Sequence, residues 1–311
     1  MKNFIKNFVI SILAITLFGL LLSHADQTRQ YAFLGLNIWY EHMLPALLPF
    51  MILSGLMIDL RLEKLLVKPF SYILRPLFRI SDAGIYTLIM GFLCGFPMGA
   101  KIVSYEFQKN NLTKKEAEYL LSFCNNFGPA YYLSFICGNV YPKALRLKGI
   151  CILYAIPLLY GLLLRYTLYG KERFISPSDH ADAAKPVHSP KMIITGIHTN
   201  IIRSLSQIGI LGGYMIFCNM LMAAVSVFLS GYPATLIHCL SEISGGIISI
   251  KALDLNPALA FRLSHIALAF NGISCHLQTF YMIGDCPFSK KKYMLHKIIL
   301  CSITCITFLC I

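Results

Sequence analysis

The chain has 311 residues, of which 57% are hydrophobic and only 13% charged, with a net charge of +13 and a mean hydropathy of +0.65. Soluble domains carry about 25% charged residues. The composition therefore excludes a cytosolic enzyme, a secreted disulfide scaffold and a nucleic-acid-binding domain. It leaves a polytopic, all-α integral membrane protein, whose positive charge reports topology and membrane-surface attraction.

Lys2 and Lys6 precede an apolar run over residues 8–22, which reads as a signal peptide or an uncleaved signal-anchor helix within a segment spanning 1–34. A second span is expected over 35–60, with Trp39 and Tyr40 as interfacial aromatics near its outer end. Residues 61–80 mix Lys64, Lys68, Arg75 and Arg79 with apolar side chains and predict an amphipathic interfacial helix broken at Pro69 and Pro76.

The stretch 83–107 carries Gly95-Phe96-Pro97-Met98-Gly99 at its middle. Its first arm, 83–94, would extend about 18 Å, short of a hydrocarbon core of about 30 Å. Two short arms meeting at a Gly/Pro tip predict a re-entrant hairpin, tolerated at depth only where protein or a cavity surrounds it. A polar turn at 109–115 leads into a helix over 116–138, interrupted at Asn125-Asn126-Phe127-Gly128-Pro129, and an apolar helix at 150–168 follows. The first repeat is thus 35–168, and a proline- and charge-bearing linker fills 169–199.

The second half, 200–311, repeats this order. A span is expected at 205–229, then a hairpin from Pro233 broken at Ser244-Gly245-Gly246. A helix over 258–284 is interrupted at Asn271-Gly272, and a last span covers 293–311. Gly99/Gly245, Asn125/Asn271 and Gly138/Gly284 share one offset of 146 residues. Paired interruptions at matching places are the best sequence pointer to a transporter's binding site.

Hairpins that enter and leave on one side give each half three crossings, so the second half inverts. This topology places Lys2, Lys6, Arg61, Lys64, Lys68, Arg75, Arg79, Lys109, Lys114, Lys115, Lys171, Arg173, Lys185, Lys191, Lys290, Lys291, Lys292 and Lys297 inside. Only Arg29, Lys143, Arg146, Lys148 and Lys251 fall outside. Eighteen against five is a positive-inside bias, with the 143–148 cluster as its exception.

A helix broken in mid-membrane frees N–H groups and presents a positive dipole end. Gly95, Pro97 and Gly99 would form one anion cradle, with Lys101 adding a full charge unless it snorkels to the interface. Ser244, Gly245 and Gly246 would form the other. Asn125, Asn126, Gly128, Pro129 and Asn271 would line the centre between them, or the asparagines would cross-link helices and the Gly/Pro breaks would be packing kinks. Glu242 is the carboxylate set deepest in an apolar segment. It would couple a proton or Na⁺, or pair structurally with His238. His276 would face the ligand or serve packing, while His265 and Arg262 read as interfacial. The eleven cysteines form no CxxC and read as small hydrophobes, so no metal or disulfide is expected. No HExxH or GxSxG motif and no catalytic carboxylate pair occurs, so no enzyme is expected either.

The run GFLCGFPMGAKIVSYEFQKNNLTKKEAEYLLSFCNNFGPAYYLSFICGNVYP (91–142), together with LLPFMILSGLMI (47–58), resembles the sporulation integral membrane protein family of the YlbJ type. That family lies among the nucleoside-recognition or Gate domain proteins of spore-forming bacteria. The GFPxGA tip and N-x-x-GP break carry the likeness, which extends over most of 35–311. After the linker the likeness is weaker, and this sequence has SGGIIS and NGISCHL there. The Gate domain also occurs twice in ferrous-iron transporter B, and concentrative nucleoside transporters are similar in plan. The resemblance implies transport of dipicolinic acid, a small aromatic dianion, across the outer forespore membrane. The expected partners are a small-molecule anion and the lipid bilayer, with a homo-oligomer open and no cofactor beyond a coupling ion. Transport of a nucleoside or other metabolite, and a non-transporting scaffold for spore formation, are the alternatives.

Overall fold

The computed structural model describes residues 2–60, 62–137, 140, 142–172, 174 and 190–310. The described residues form helices and connecting turns, without a strand among them. Gly138, the central linker over 175–189, and Arg61 and Arg173 among the inside charges lie outside the described residues. Among the described residues six helices are long and apolar enough to cross a membrane: Phe4–Ser23, Ala25–Asp59, Arg146–Tyr166, Pro190–Phe228, Pro257–Ile283 and Lys290–Cys310. The chain is a multi-pass integral membrane protein.

Helix α1 (Lys2–Ser23) leaves almost all its side chains exposed, as expected of a helix whose neighbours are lipid tails. The next span is longer than expected. Helices α2 (Ala25–Ile38) and α3 (Leu44–Asp59) run together through a π turn at Trp39–Met43. Trp39, expected as an interfacial aromatic, is half-buried within this rod and packs against residues 208–212. Its indole packs where a Cβ on Gly212 would fall 2.6 Å away, and its Nε1–H donates to the Ile208 carbonyl at 2.9 Å.

Helix α4 (Glu63–Phe78) carries Pro69 and Pro76 without breaking. Each proline removes one intrahelical donor, but both sit on the exposed face, where the freed carbonyls meet solvent or headgroups. Arg79, at φ 49°, ends the helix, and the buried Arg165 guanidinium donates to the carbonyls of Phe78 (2.7 Å) and Glu172 (2.8 Å). The chain then bends by 101° into α5 (Asp82–Cys94). Ser81 caps α5 by accepting from the Gly84 N–H at 3.1 Å, while Glu116 accepts from the Ser81 N–H at 2.7 Å.

Helix α5 packs along α6 (Met98–Gln108), joined to it by Gly95-Phe96-Pro97. Helix α7 (Lys114–Leu121) stops well short of α8 (Pro129–Tyr131), which continues as a π turn to Ile136. Residues 122–128 between them are non-helical and buried. Helix α9 (Arg146–Tyr166) closes the first half over Phe123, whose ring lies 2.6 Å from where a Gly161 Cβ would stand.

The linker is shorter than expected, because α10 begins at Pro190 and runs to Phe228. Proline suits a first helical position, where its missing N–H costs nothing. Helices α11 (Gly231–Ser241) and α12 (Ile243–Ala252) pack side by side as a second hairpin. Its break falls at Glu242, two residues before the expected Ser244-Gly245-Gly246, which instead forms the first turn of α12. Helices α13 (Pro257–Phe270) and α14 (Gly272–Ile283) are separated by the single residue Asn271, at φ 79°. Helix α15 (Lys290–Cys310) ends the described chain. Subtracting 146 from α12 through α15 lands each on α6 through α9 to within a few residues.

Candidate functional site

The four interruptions meet in the interior. At the first tip, Gly95 (φ +74°) lies so close to the 127–128 backbone that a Cβ would fall 2.1 Å from the Gly128 nitrogen. The left-handed φ and the absent side chain are both required there. The Phe96 N–H donates to the Asn126 carbonyl at 2.5 Å, and the Ala100 N–H donates to Asn125 Oδ1 at 3.2 Å. Gly99 faces Asn125 across the same contact, Pro97 caps α6 and Pro129 starts α8. On the other side, Gly272 packs against the Ser241–Ile243 backbone, and Tyr131 of α8 donates from its hydroxyl to Ser244 Oγ at 2.8 Å.

Two buried polar clusters occupy this meeting place. The first centres on Lys297, which the charge count had assigned to the inside flank. It is wholly buried instead, on the α15 stripe formed by Tyr293, Lys297, Leu300, Thr304 and Phe308. Its Nζ donates to the Asn125 carbonyl at 2.6 Å and to Asn126 Oδ1 at 2.8 Å. The Asn271 amide lies 3.4 Å from the Asn125 carbonyl. Turned by 180°, the orientation that satisfies both its ends, it accepts from Lys297 Nζ at 3.3 Å and donates to the Leu268 carbonyl. Three acceptors around one nitrogen match the three donors of an ammonium. Asn125 Nδ2 adds bonds to Thr279 Oγ1 (3.0 Å) and the Tyr293 hydroxyl (3.4 Å). His276 is buried beside this cluster, edge-on to Phe270 and Tyr293.

The second cluster centres on Glu242. Its carboxylate accepts from the Ser244 N–H (3.1 Å) and the Gly245 N–H (2.7 Å), so it caps α12 itself, and it also accepts from Asn219 Nδ2 (2.9 Å). The Gly246 N–H is held by the Glu242 carbonyl, and Gly246 rests against Cys239 of the facing arm. The expected second anion cradle is therefore filled by the chain's own carboxylate. A helix N-terminus favours whichever anion reaches it first, and one attached three residues away has that advantage. Glu242 does not bond the His238 ring directly. Asn219 stands between them, its Oδ1 2.9 Å from His238 Nε2, and His238 Nδ1 reaches Ser249 Oγ at 2.7 Å. A Cβ on Gly245 would fall 2.1 Å from Asn219 Oδ1 and 2.2 Å from His238 Nε2, so the network requires glycine there.

Lys101 joins neither cluster. It is buried facing α3 and α10, in a cavity of ≈ 10 Å³ lined also by Ser54, Tyr105, Asn200 and Arg203. Among the described residues its ammonium has no hydrogen-bond acceptor. Nearby, Asp59 accepts from the Tyr105 hydroxyl and from Asn200 Nδ2 (2.9 Å). His265 is also no interfacial group: it is buried, 3.0 Å from the Tyr132 hydroxyl, while Arg262 is exposed. Among the described residues no His/Cys/Asp/Glu group is arranged to hold a metal ion.

Sequence reasoning missed Asn219, Tyr131 and Lys297. A signal for Lys297 existed, since it falls four residues after Tyr293 and three before Leu300 on an apolar helical stripe. Asn219 and Tyr131 carry no comparable signal.

Over 126 residues the chain is 35% identical to the sporulation integral membrane protein YlbJ of Bacillus subtilis (strain 168). The matched stretch is 40% of this chain and 30% of that relative's length. The YlbJ-type resemblance is borne out over this stretch. No family model matches the chain, and no solved structure does.

Proposed function

We propose that this protein is a transporter for a small anionic metabolite, with dipicolinic acid as its guest, acting across the outer forespore membrane during sporulation. The observation that carries the reading is the Lys297 ammonium. It is fully buried where four chain interruptions meet, is held only by neutral oxygens, and forms no salt bridge with a carboxylate among the described residues. Neutral oxygens satisfy its N–H groups but leave its net charge uncancelled; a net charge at membrane depth is costly, and an anionic guest nearby offsets it. The sporulation role follows the name of the relative matched over 126 residues. The matching of α6–α9 with α12–α15 at one offset supports two inverted Gate-like repeats, in which Glu242 is the ion-coupling acid.

In the described conformation the centre is closed. The cavities beside it, at Asn126 and at Tyr293, measure ≈ 20 and ≈ 10 Å³, about the size of one water. Entry of a guest then requires the hairpins to part from the interrupted helices, the alternating gating such repeats permit. Proteoliposomes loaded with terbium ions test the reading, because dipicolinate entering them sensitises terbium luminescence. Wild-type vesicles should brighten and Lys297→Met vesicles should not. Absence of both uptake and binding by folded wild-type protein would refute the proposal, and uptake of nucleosides instead would move it to another substrate class.

A further inference from the structure

The acceptors around Lys297 have a chemistry of their own. One is a main-chain carbonyl, of Asn125, and two are side-chain amide oxygens, of Asn126 and Asn271. None carries a formal charge. They come from two separate interruptions, one between α7 and α8 and one between α13 and α14. The face of the Tyr293 ring adds a fourth side, its centroid 5.8 Å from the nitrogen. Converging neutral oxygens that replace a hydration shell are how proteins hold monovalent cations, whereas Ca²⁺ and Mg²⁺ sites recruit carboxylates at about 2.0–2.6 Å. The distances here, 2.6, 2.8 and 3.3 Å, suit an ammonium-sized ion.

We infer that Asn125, Asn126, Asn271 and Tyr293 form a monovalent-cation site whose permanent occupant is the Lys297 ammonium. The stem of Lys297 tethers the ion to α15, so its effective concentration at the cage far exceeds that of any free ion. The protein therefore needs no free Na⁺ or K⁺ to bridge its two interrupted helices. Truncating the stem exposes the cage to a small cation from solution. This inference is independent of what the protein carries.

The test uses purified full-length protein in detergent, with a maleimide dye that reports exposure of buried thiols such as Cys124 and Cys275 on heating. The wild-type midpoint should be the same in potassium and choline chloride at one ionic strength. Lys297→Ala should melt lower in choline chloride. Propylammonium chloride, which replaces the deleted atoms, should raise that midpoint with the logarithm of its concentration, as a ligand of the native state does. Tetramethylammonium, which has no N–H to donate, should not. A wild-type midpoint raised by K⁺ over choline would overturn the inference. So would a Lys297→Ala protein indifferent to propylammonium, or one that fails to fold in its presence as in its absence.

Discussion

Replacing Gly245 by alanine tests the Glu242 network at its tightest point. The new methyl would stand 2.1 Å from Asn219 Oδ1 and 2.2 Å from His238 Nε2. Neither neighbour can turn away freely: both are buried, Asn219 is tied to Glu242 and Met215, and His238 is tied to Ser249. Overpacking of a well-filled interior costs about 1–3 kcal/mol, and losing a hydrogen bond to a charged group about 1.5–3 kcal/mol. The helical preference of alanine over glycine returns about 1 kcal/mol. The net loss is about 2–4 kcal/mol, a fall in melting midpoint of about 3–6 °C for a chain of this size. Gly213→Ala on α10, where a Cβ meets nothing within 4 Å, is the matched control and should not lower the midpoint. Because Asn219 supplies the nearer clash, Asn219→Ala and Gly245→Ala should not add, the double variant being more stable than the sum of the single effects by about 1 kcal/mol. A Gly245→Ala protein that melts with Gly213→Ala, or strict additivity in the cycle, would refute the reasoning.

At the other tip, Gly95→Ala should be still more damaging, since its methyl would meet backbone at 2.1 Å and φ is +74°; detergent-resistant folded yield measures it, and wild-type yield would contradict the packing described. Asn125→Leu removes the bonds to Ala100, Thr279 and Tyr293 and should lower stability by about 2–4 kcal/mol, against about 1 kcal/mol for Thr279→Val; thermal unfolding ranks the two. Trp39 is the chain's single tryptophan, so its emission reports the α2–α10 contact directly: Gly212→Leu should red-shift it by expelling the indole from its seat. Impermeant thiol labelling at Lys115→Cys and Lys251→Cys, with exposed Cys151 and Cys310 replaced by serine, should mark opposite membrane faces; labelling from one side alone would remove the inverted arrangement.

Much of this architecture was legible because Gly and Pro punctuate apolar sequence in few ways. Gly95 and Pro97 announced a short-armed hairpin, and Asn125 to Pro129 a broken helix, because backbone sterics act locally. What stayed hidden depended on partners far along the chain. Pro69 and Pro76 look like breaks until the exposed face of α4 is known. The Ser244-Gly245-Gly246 run looks like the break itself, whereas glycine is needed there to admit Asn219 and His238 from other elements. Lys297 followed three lysines and was counted with them, although helical spacing turns it to the opposite environment. Asn219 sits in a long apolar helix with nothing local to single it out.

Helix α10, at 39 residues, is about 58 Å long, and the continuous α2–α3 rod beside it, at 35 residues, about 52 Å. Both greatly exceed a hydrocarbon core of about 30 Å, so they must lean steeply or emerge from it. Trp39 pins them together near the middle, which forces them to lean as one. If they lean rather than emerge, lipid tail length sets the slant of this pair, and through it the spacing of the hairpins packed alongside. Membranes of different thickness would tune the same polypeptide without any change in its chemistry.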